Sequence, residues 1–415
     1  MNSQRVYILG GHQTDFSRNW SRENLSLFDM FSETLNKGLD ATQLDASNIE
    51  VGHVGNFVGD LFCGQAQLGG FFGHLDPSLT YLPASRHEAA CASGSMAILS
   101  AMTDLESGRY DLACVMGIEM MRNVPGDQAA ENLRAAAWAD KEWQDTPYVW
   151  PCAFDDLMAQ YQQRFGLKTE HVRAISEKNY SNAKRNSNAQ SRKWQFNENS
   201  FKNGTEENPN VCGDIYRQDC GQISDGAAVV FLASENRAKQ YAKDHNILLE
   251  DIPYIKGWGH INAPMLMAEK LKLSEKNGFI FPHINQLFKQ TLNRAGLSSM
   301  QSIGGLEVHD CFNITEYMIL DHTGINKPGE IWQSIESDMF KQSGELPVNA
   351  SGGLIGLGHP VGATGIRMLL DCYKQVNQSA GDYQISSRDK NGVNNMMTFN
   401  LGGSATTCAS YIVGK

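Results

Sequence analysis

The chain has 415 residues, and at roughly 150 residues per domain this length predicts two or three domains with a substantial core. It carries 35 Lys and Arg against 46 Asp and Glu, a net charge of −11, so its surface repels phosphates and we expect no nucleic-acid partner. No apolar run approaches the roughly 20 residues that span a bilayer, so we expect no membrane insertion either.

Short apolar runs alternate with amphipathic segments of helical period along the chain. The runs are rich in Val, Ile and Ala and mostly continuous, which is typical of strands buried on both faces. The alternation predicts an α/β layered fold with two α/β halves. Strands are predicted at residues 6–9, 112–116, 227–232 and 305–308, and helices at 27–39 and 366–376.

The two ends of the chain and its cysteines indicate a cellular compartment. The opening MNSQRVYILGG lacks the long apolar segment of a secretory signal, and the final YIVGK lacks the peroxisomal tripeptide. Nine cysteines without a CxxC pair fit neither a disulfide framework nor a zinc ribbon. We therefore expect a reducing, cytoplasmic location.

The stretch 125–213 is polar and reads as an excursion from the first half. Within it, residues 161–202 hold nine basic residues against three acidic ones, in a chain whose total charge is negative. This basic stretch is a candidate site for a small polyanion such as a nucleotide phosphate, or else a solvated helical face. The nine are Arg164, Lys168, Arg173, Lys178, Lys184, Arg185, Arg192, Lys193 and Lys202.

Small residues surround Cys91 in the segment EAACASGSM, which leads into a helical pattern. At a strand-to-helix turn the helix N-terminus stabilises a thiolate, and Ala, Ser and Gly leave room for a substrate. A buried structural cysteine is the alternative. The nucleophile interpretation requires a base elsewhere in the chain.

A candidate base is His359, in the glycine-rich segment SGGLIGLGHPVGATG. So many glycines indicate a backbone that approaches another group closely. A base within hydrogen-bond reach of a cysteine would generate the nucleophile. A phosphate-binding loop is the alternative, although the segment has no GxxxxGK[ST] pattern.

Two more segments carry chemistry. His309, Asp310 and Cys311 follow the strand at 305–308, and α/β folds place their chemistry at such strand ends. A zinc site is the competing idea there, but no second close-spaced Cys/His pair completes four ligands. The segment FNLGGSA at 399–405 contains a glycine turn that could direct backbone N–H groups at a developing oxyanion.

Together these four segments, CASGS, HDCF, GHPVGATG and NLGGSA, resemble the thiolase family, and more closely its sterol-carrier-protein-type branch with an HDCF motif. Further similar segments are ILGGHQTDF, GNFVGDLFCGQ, VMGIEMM, KNYSNAKRNSNAQ and SDGAAVVFL. The resemblance implies a five-layered fold of two similar βαβαβαββ halves with helices buried between the sheets. It also implies an N-terminal half at 1–124, completed at 214–255, an inserted CoA-binding loop domain at 125–213, and a C-terminal half at 256–415.

The resemblance also implies roles for single residues. Cys91 matches the acyl-accepting nucleophile and His359 the histidine that activates it. Where many thiolases carry a cysteine in a CxG motif, this chain has Asn400, so Cys311 of HDCF inherits the acid/base role. The N–H groups of Gly402 and Cys91 would form one oxyanion site, and His309 and His359 would form the other, around the enolate oxygen.

Substrates and partners are implied in the same way. Phe312 and Met158 are similar to positions that line the pantetheine tunnel, and the basic stretch would face the 3′-phospho-ADP of coenzyme A. Acetyl-CoA, acyl-CoA and 3-ketoacyl-CoA are the implied substrates, with no other cofactor and no metal. A homodimer or homotetramer is implied by the resemblance alone.

The expected function is that of an acyltransferase that makes or cleaves 3-ketoacyl-CoA, acetoacetyl-CoA or longer. The acyl group would be carried on Cys91, with Cys311 as acid and base. Two alternatives stay open: a related condensing synthase that acts on carrier-protein thioesters, and a non-catalytic scaffold subunit that binds coenzyme A.

Overall fold

The computed structural model describes residues 4–386 and 393–415. Its strands are β1 (Val6–Gln13), β2 (Val51–Gly55), β3 (Ala84–His87), β4 (Leu112–Glu119), β5 (Asn210–Cys212), β6 (Ile215–Tyr216), β7 (Gly226–Ala233), β8 (Tyr254–Asn262), β9 (Gly305–Val308), β10 (Asn395–Gly402) and β11 (Thr407–Gly414). Its helices are α1 (Leu27–Thr42), α2 (Gly59–Cys63), α3 (Ser93–Glu106), α4 (Gly126–Leu133), α5 (Val149–Phe165), α6 (Thr169–Ala183), α7 (Glu235–Asp244), α8 (Met267–Ser274), α9 (Pro282–Arg294), α10 (Asn313–Asp321), α11 (Trp332–Glu336) and α12 (Thr364–Val376).

The six elements predicted from apolar pattern are all confirmed. Strands β1, β4, β7 and β9 contain the four predicted runs, and α1 and α12 contain the two amphipathic segments. The residues of β4, β7 and β9 are buried throughout, because each strand is covered on both faces.

The two halves repeat one strand arrangement. In the first half β2 lies parallel to both β3 and β4, and β7 runs antiparallel to β4 and β1. In the second half β9 lies parallel to β10, and β11 runs antiparallel to β10 and β8. A parallel bridge from Leu306 to Val348 takes the place that β3 has in the first half. The halves join where β1 pairs with β8, which gives a nine-stranded sheet.

Within this continuous sheet, the strands of the first half form one layer, the first sheet, and those of the second half form another, the second sheet. Two helices lie between these two layers. In α3 and α12 the apolar side chains pack into one core cluster with residues of β1, β4 and β7 on one side and of β10 and β11 on the other. The outer face of the first sheet is covered by α1 and α7, and that of the second by α9. This layering confirms the predicted fold class, in which helices are buried between two sheets.

The chain leaves the first half after β4 and returns to it at β7. Between them lie α4, α5, α6 and the β5–β6 hairpin, in the stretch predicted as an excursion. In the structure α6 packs against α10 and against the turn Gly353–Leu357, both from the second half. The inserted segment therefore contacts the part of the molecule that carries His309 and His359.

Two of the nine cysteines are paired, which the sequence analysis did not predict. Cys152 in α5 and Cys212 in β5 form a disulfide with their Cα atoms 5.3 Å apart. They are 60 residues apart in the chain, and nothing in their spacing announces the contact. The expectation that no disulfide is present is therefore wrong for this pair.

None of the helices in the described part of the chain is both long enough and apolar enough to cross a membrane.

Candidate active site

Cys91 lies in a tight turn between β3 and α3. A single 3₁₀ turn, Ala90–Ala92, precedes the helix, and Ala90 has a φ of 50°, a left-handed conformation that is strained for a residue with a side chain. Ser93 stabilises the turn, since its hydroxyl accepts from the N–H of Ala89 at 2.9 Å and donates to the carbonyl of Ala90 at 2.6 Å. Cys91 as a whole residue is half-buried in this turn.

The structure brings Cys91, His309 and His359 together. One ligand atom from each, the Cys91 Sγ and a ring nitrogen of each histidine, lies within 4.8 Å of the other two. The two imidazole rings meet edge to face, with centroids 5.1 Å apart and an interplanar angle of 89°. These residues come from a turn of the first half and two loops of the second, so the predicted group forms only in the folded molecule.

The resting thiols are protonated. Burial, with a smaller contribution from the nearby carboxyl of Glu119, raises the pKa of Cys91 to about 12, although backbone N–H donors from Gly403 and from Cys91 itself act in the opposite direction. Burial also raises the pKa of Cys311 well above its usual value, and the neighbouring thiol of Cys91 adds to this. Burial therefore outweighs the helix terminus that the sequence analysis expected to favour a thiolate.

His359 is neutral at rest. Burial lowers its pKa to about 3, with a further lowering from Arg367. Its backbone N–H donates to the hydroxyl of Ser224 at 2.9 Å, and its Nδ1 lies 2.6 Å from the hydroxyl of Thr364. The preceding Gly358 has a φ of 121°, which a residue with a side chain rarely adopts. A neutral imidazole next to a protonated thiol is the arrangement from which a base can take a proton.

A buried carboxylate holds the loop after His359 in place. Glu119, the last residue of β4, accepts the N–H of Gly362 at 3.0 Å and the N–H groups of Phe57 and Val58 at 2.9 and 3.2 Å. Burial raises the pKa of Glu119 to about 7, against the lowering effect of these N–H donors. The sequence analysis did not identify Glu119, although a single glutamate at the end of an apolar strand indicates a buried carboxyl group with a specific role.

Asp310 has a positioning role here. It is fully buried and accepts the N–H groups of Leu354 at 2.5 Å and Ile355 at 3.2 Å, and the side-chain amide of Asn179 at 2.7 Å. These contacts connect the HDCF segment, the loop that leads to His359, and α6 of the inserted segment. Asp310 therefore fixes the approach of the two loops that carry the histidines.

The glycine turn of the NLGGSA segment lies against the turn that carries Cys91. A Cβ atom on Gly402 would lie 2.2 Å from the carbonyl oxygen of Ala89, so only glycine permits this approach. The N–H that donates to the Cys91 thiol belongs to the next residue, Gly403. Gly402 as an oxyanion donor stays a prediction, and Gly403 is an additional donor that the sequence analysis did not single out.

A cavity of about 360 Å³ opens in front of Cys91, and Cys311 and His359 line it as well. Its wall is largely apolar and aromatic. The rings of Phe154 and Phe312 lie 4.7 Å apart on this wall. Other apolar lining residues are Phe57, Met121, Ala130, Leu133, Ala136, Val149, Trp150, Pro151, Val211, Ile223 and Val361.

The structure brings Phe312 to this cavity but not Met158. Met158 lies one helical turn after Phe154 on α5, is buried, and lines a separate depression with Gln162 and Lys168. The role of Met158 in substrate binding stays a prediction. Met158 does not line the cavity that contains Cys91.

None of the nine cations of the basic stretch lines the Cys91 cavity. Several are already engaged: Lys178 binds Glu316 at 2.6 Å, and Arg192 binds Asp15 at 2.7 Å. The cation at the cavity is Arg217, an exposed residue outside the stretch. Local charge density could not identify it, because Arg217 is isolated in the sequence.

Across residues 4–386 and 393–415, Cys91, His309 and His359 are the one group of three side chains with the geometry to hold a metal ion. Imidazole nitrogen and thiolate are zinc ligands. The absence of a metal therefore stays a prediction, which metal analysis of the purified protein tests.

Two family models match the chain. Residues 6–196 match "Thiolase, N-terminal domain" and residues 267–415 match "Thiolase C-terminal domain-like". Among curated proteins, the chain is 29% identical to an acetyl-CoA acetyltransferase of Methanothermobacter thermautotrophicus over 99% of both chains. It is 24% identical to human sterol carrier protein 2, over 99% of this chain and 72% of the relative.

Solved structures share the fold. The human mitochondrial 3-ketoacyl-CoA thiolase aligns with a TM-score of 0.71 at 15% identity, over the full length of both chains. A chain of the Ltp2-ChsH2(DUF35) aldolase aligns with a TM-score of 0.76 at 19% identity, over 99% of this chain and 98% of that one. The predicted acyltransferase agrees with the name of the first curated relative. The two family models, the curated relatives and the fold agree with the four sequence motifs, and the chain belongs to the thiolase family.

Proposed function

We propose that this protein is an acyl-CoA:acetyl-CoA C-acyltransferase, which makes or cleaves 3-ketoacyl-CoA through an acyl-enzyme on Cys91. The observation that carries the proposal is the convergence of the Cys91 thiol and ring nitrogens of His309 and His359 within 4.8 Å, at a cavity that Cys311 also lines. A nucleophile, a neutral base and a second thiol around one apolar cavity are the groups that acyl transfer with carbon–carbon bond formation requires.

The acylation half-reaction uses Cys91 and His359. His359 takes the proton of the Cys91 thiol, and the thiolate attacks the thioester carbonyl. When the carbon–sulfur bond to coenzyme A breaks, the leaving thiolate takes the proton back from His359. In this proposal the donors to the developing oxyanion are the N–H groups of Cys91 and of the Gly402–Gly403 turn, which lies against the turn that carries Cys91.

Cys311 moves the proton at the α-carbon. In cleavage, Cys91 attacks the 3-keto carbon, the carbon–carbon bond breaks, and the thiol of Cys311 protonates the acetyl-CoA enolate. In synthesis the same proton travels in the opposite direction. The raised pKa of Cys311 keeps its thiol protonated at rest, which suits the acid role in cleavage.

Binding of coenzyme A is inferred from the cavity. The rings of Phe154 and Phe312 form an apolar wall for the pantetheine arm, and the exposed Arg217 is the cation available to its phosphates. The apolar wall beside Cys91 supports a hydrocarbon acyl group. A panel of 3-ketoacyl-CoAs of increasing length, assayed with free coenzyme A, measures which chain the cavity accepts.

Incubation with acetyl-CoA followed by peptide mass spectrometry tests the acyl-enzyme. We expect one acetyl group on Cys91, none in Cys91→Ala, and normal labelling in the matched control Cys220→Ala, whose thiol lines the same cavity. An unmodified Cys91 in protein with reduced thiols would contradict the proposal. Equal or faster reaction with an acyl-carrier-protein thioester would favour the condensing synthase. A Cys91→Ala protein with full biological function would favour the scaffold.

A second copy of the chain and the cellular location belong to the same proposal. Strand β3 is one of the two edge strands of the nine-stranded sheet and is only partly buried, so it offers a surface for a homodimer or homotetramer. Light scattering measures the oligomeric state.

We propose a cytoplasmic location. Because disulfides are rare in reducing compartments, the redox state of Cys152 and Cys212 in freshly lysed cells tests this location.

A further inference from the structure

His309 and His359 have the same side chain, but different neighbouring side chains contact their rings. Each has its Nδ1 engaged by a neighbouring side chain, and each has a buried Nε2 without a hydrogen-bond partner in the described residues. A neutral imidazole carries its hydrogen on one nitrogen, and the group bound to Nδ1 decides which one. The partner of Nδ1 therefore decides whether Nε2 donates or accepts a hydrogen bond.

Asn400 is the partner of His309. Its side-chain Nδ2 lies 2.9 Å from Nδ1 of His309, and both residues are fully buried. An amide nitrogen only donates, so Nδ1 must accept and the hydrogen must lie on Nε2. The hydroxyl of Ser95 donates to the Asn400 Oδ1 at 2.8 Å, which leaves the Nδ2 of the same amide to donate to His309.

Thr364 is the partner of His359, with its hydroxyl 2.6 Å from Nδ1. The same hydroxyl donates to the carbonyl of Pro360 at 3.2 Å, and a hydroxyl has only one hydrogen. The contact with His359 is therefore satisfied when Nδ1–H donates to the threonine oxygen. In that state Nε2 has a free lone pair.

We propose that Asn400 and Ser95 are positioning residues that hold His309 as the Nε2–H tautomer, opposite to the Nδ1–H tautomer in which Thr364 holds His359. His309 then donates a hydrogen bond to the enolate oxygen, and His359 accepts the proton of Cys91. The assignment of tautomers stands on hydrogen bonds alone, whereas its consequence for catalysis rests on the proposed acyltransferase.

The tautomers are measured directly by ¹⁵N NMR of the full-length protein labelled at histidine, with signals assigned through His309→Gln and His359→Gln. We expect the wild-type protein to show Nε2–H at His309 and Nδ1–H at His359. Nδ1–H at His309 would overturn the proposal whatever the enzymatic activity turns out to be. This measurement needs no substrate, so failure of the proposed function leaves it interpretable.

Asn400→Asp tests the consequence for catalysis. A carboxylate accepts, so it draws the hydrogen of His309 to Nδ1 and removes the donor at Nε2. We expect kcat for thiolysis of acetoacetyl-CoA to fall about 10²- to 10³-fold, as for the loss of one oxyanion donor, with little change in KM. Acetylation of Cys91 by acetyl-CoA should continue, because it uses the other oxyanion donors.

Three comparisons separate positioning from structural damage. Asn377→Asp introduces the same charge at a partly buried site at the end of α12, away from the cavity, and should leave kcat unchanged. Ser95→Ala frees the amide of Asn400 to rotate, so we expect a mixture of His309 tautomers and a smaller loss of kcat. A folded Asn400→Asp protein with wild-type kcat would overturn the proposal, and if that variant does not fold, the wild-type spectrum and Ser95→Ala decide it.

Discussion

Cys91 and Cys311 enter one cavity from different halves of the molecule, and both thiols are protonated at rest. Their neighbours distinguish their roles. Cys91 has a neutral histidine within 4.8 Å, whereas Cys311 has the hydroxyl of Thr315 at 3.9 Å as its nearest polar side chain among the hydrogen-bond partners. In the proposed reaction His359 is the base that deprotonates Cys91, and Cys311 keeps its proton until an enolate forms.

Removal of the Cys311 thiol should separate the two half-reactions. In Cys311→Ala we expect Cys91 to be acetylated by acetyl-CoA at close to the wild-type rate, because acylation needs only Cys91 and His359. Thiolysis of acetoacetyl-CoA should slow by about 10²- to 10⁴-fold, the usual contribution of a general acid or base. Stopped-flow assays of acylation and steady-state assays of thiolysis measure the two effects.

The matched control is Cys220→Ala, since Cys220 lines the same cavity but its thiol contacts the carbonyl of Tyr216 at 3.3 Å. It should retain wild-type thiolysis. Equal thiolysis rates for Cys311→Ala and wild type would show that another group moves the α-proton.

At the scale of elements, the disulfide connects α5 to the β5–β6 hairpin, and residues on both sides of it line the cavity: Trp150 and Pro151 next to Cys152, and Val211 next to Cys212. The crosslink therefore fixes a wall of the cavity in front of Cys91. It closes a loop of about 60 residues, whose restriction in the unfolded chain stabilises the folded state by up to about 4 kcal/mol in the chain-entropy model.

Cys152→Ser and Cys212→Ser should therefore each lower the free energy of unfolding by about 2–4 kcal/mol, and the double variant by no more than either one. Urea unfolding of the oxidised proteins measures this. A dithiol reductant should destabilise the wild type to the same level and leave the variants unchanged. Cys63→Ser, which removes a free thiol, is the control. Wild-type stability that does not respond to the reductant would contradict the prediction.

His322 connects the end of α10 to the start of α9. Its Nδ1–H donates to the carbonyl of Met318 at 2.7 Å, and its Nε2 accepts the N–H of Phe281 at 2.9 Å. Protonation of Nε2 would break the second bond. Burial lowers the pKa of His322 from 6.5 to about 3, so below pH 6.5 the unfolded chain binds a proton that the folded state does not.

Stability contributed by His322 is therefore present above pH 6.5 and is lost as the pH falls toward 3. Each pH unit inside this window costs about 1.4 kcal/mol. We expect the unfolding free energy of wild type to fall by about 2 kcal/mol more than that of His322→Gln between pH 6.5 and 4.5. Urea unfolding at a series of pH values measures the difference, and parallel pH curves for the two proteins would contradict the assignment.

At the scale of the whole molecule, features with a local pattern were predictable and features made by distant contacts were not. The strand 112–116 was found because its apolar run is continuous, and Cys91 and His359 because small residues and glycines surround them. Asn400 was seen only as a missing cysteine, because its contact with His309 spans 91 residues of sequence. The disulfide and Arg217 were missed for the same reason, since no local pattern encodes a partner that only the tertiary fold brings near.

A buried charge network lies on α12, the helix that packs between the two halves. The guanidinium of Arg367 is fully buried and lies 2.9 Å from Glu307 on β9 and 3.2 Å from Asp371 on α12. Helix α12 itself packs against strands of both halves. A substitution at Arg367 should therefore lower the stability of both sheets.

We expect Arg367→Ala to lower the free energy of unfolding by about 3–5 kcal/mol, because it leaves the buried carboxylate of Glu307 without its cation and removes one of the two cations beside Asp371. Arg109→Ala is the matched control, since Arg109 is largely exposed and its pair with Asp104 contributes at most about 1 kcal/mol. Hydrogen exchange followed by mass spectrometry shows which segments of the chain lose protection. Because α12 contacts both sheets, peptides from β4 and β7 should lose protection together with those from β10 and β11. Loss confined to the second half would show that the halves unfold independently despite their shared sheet.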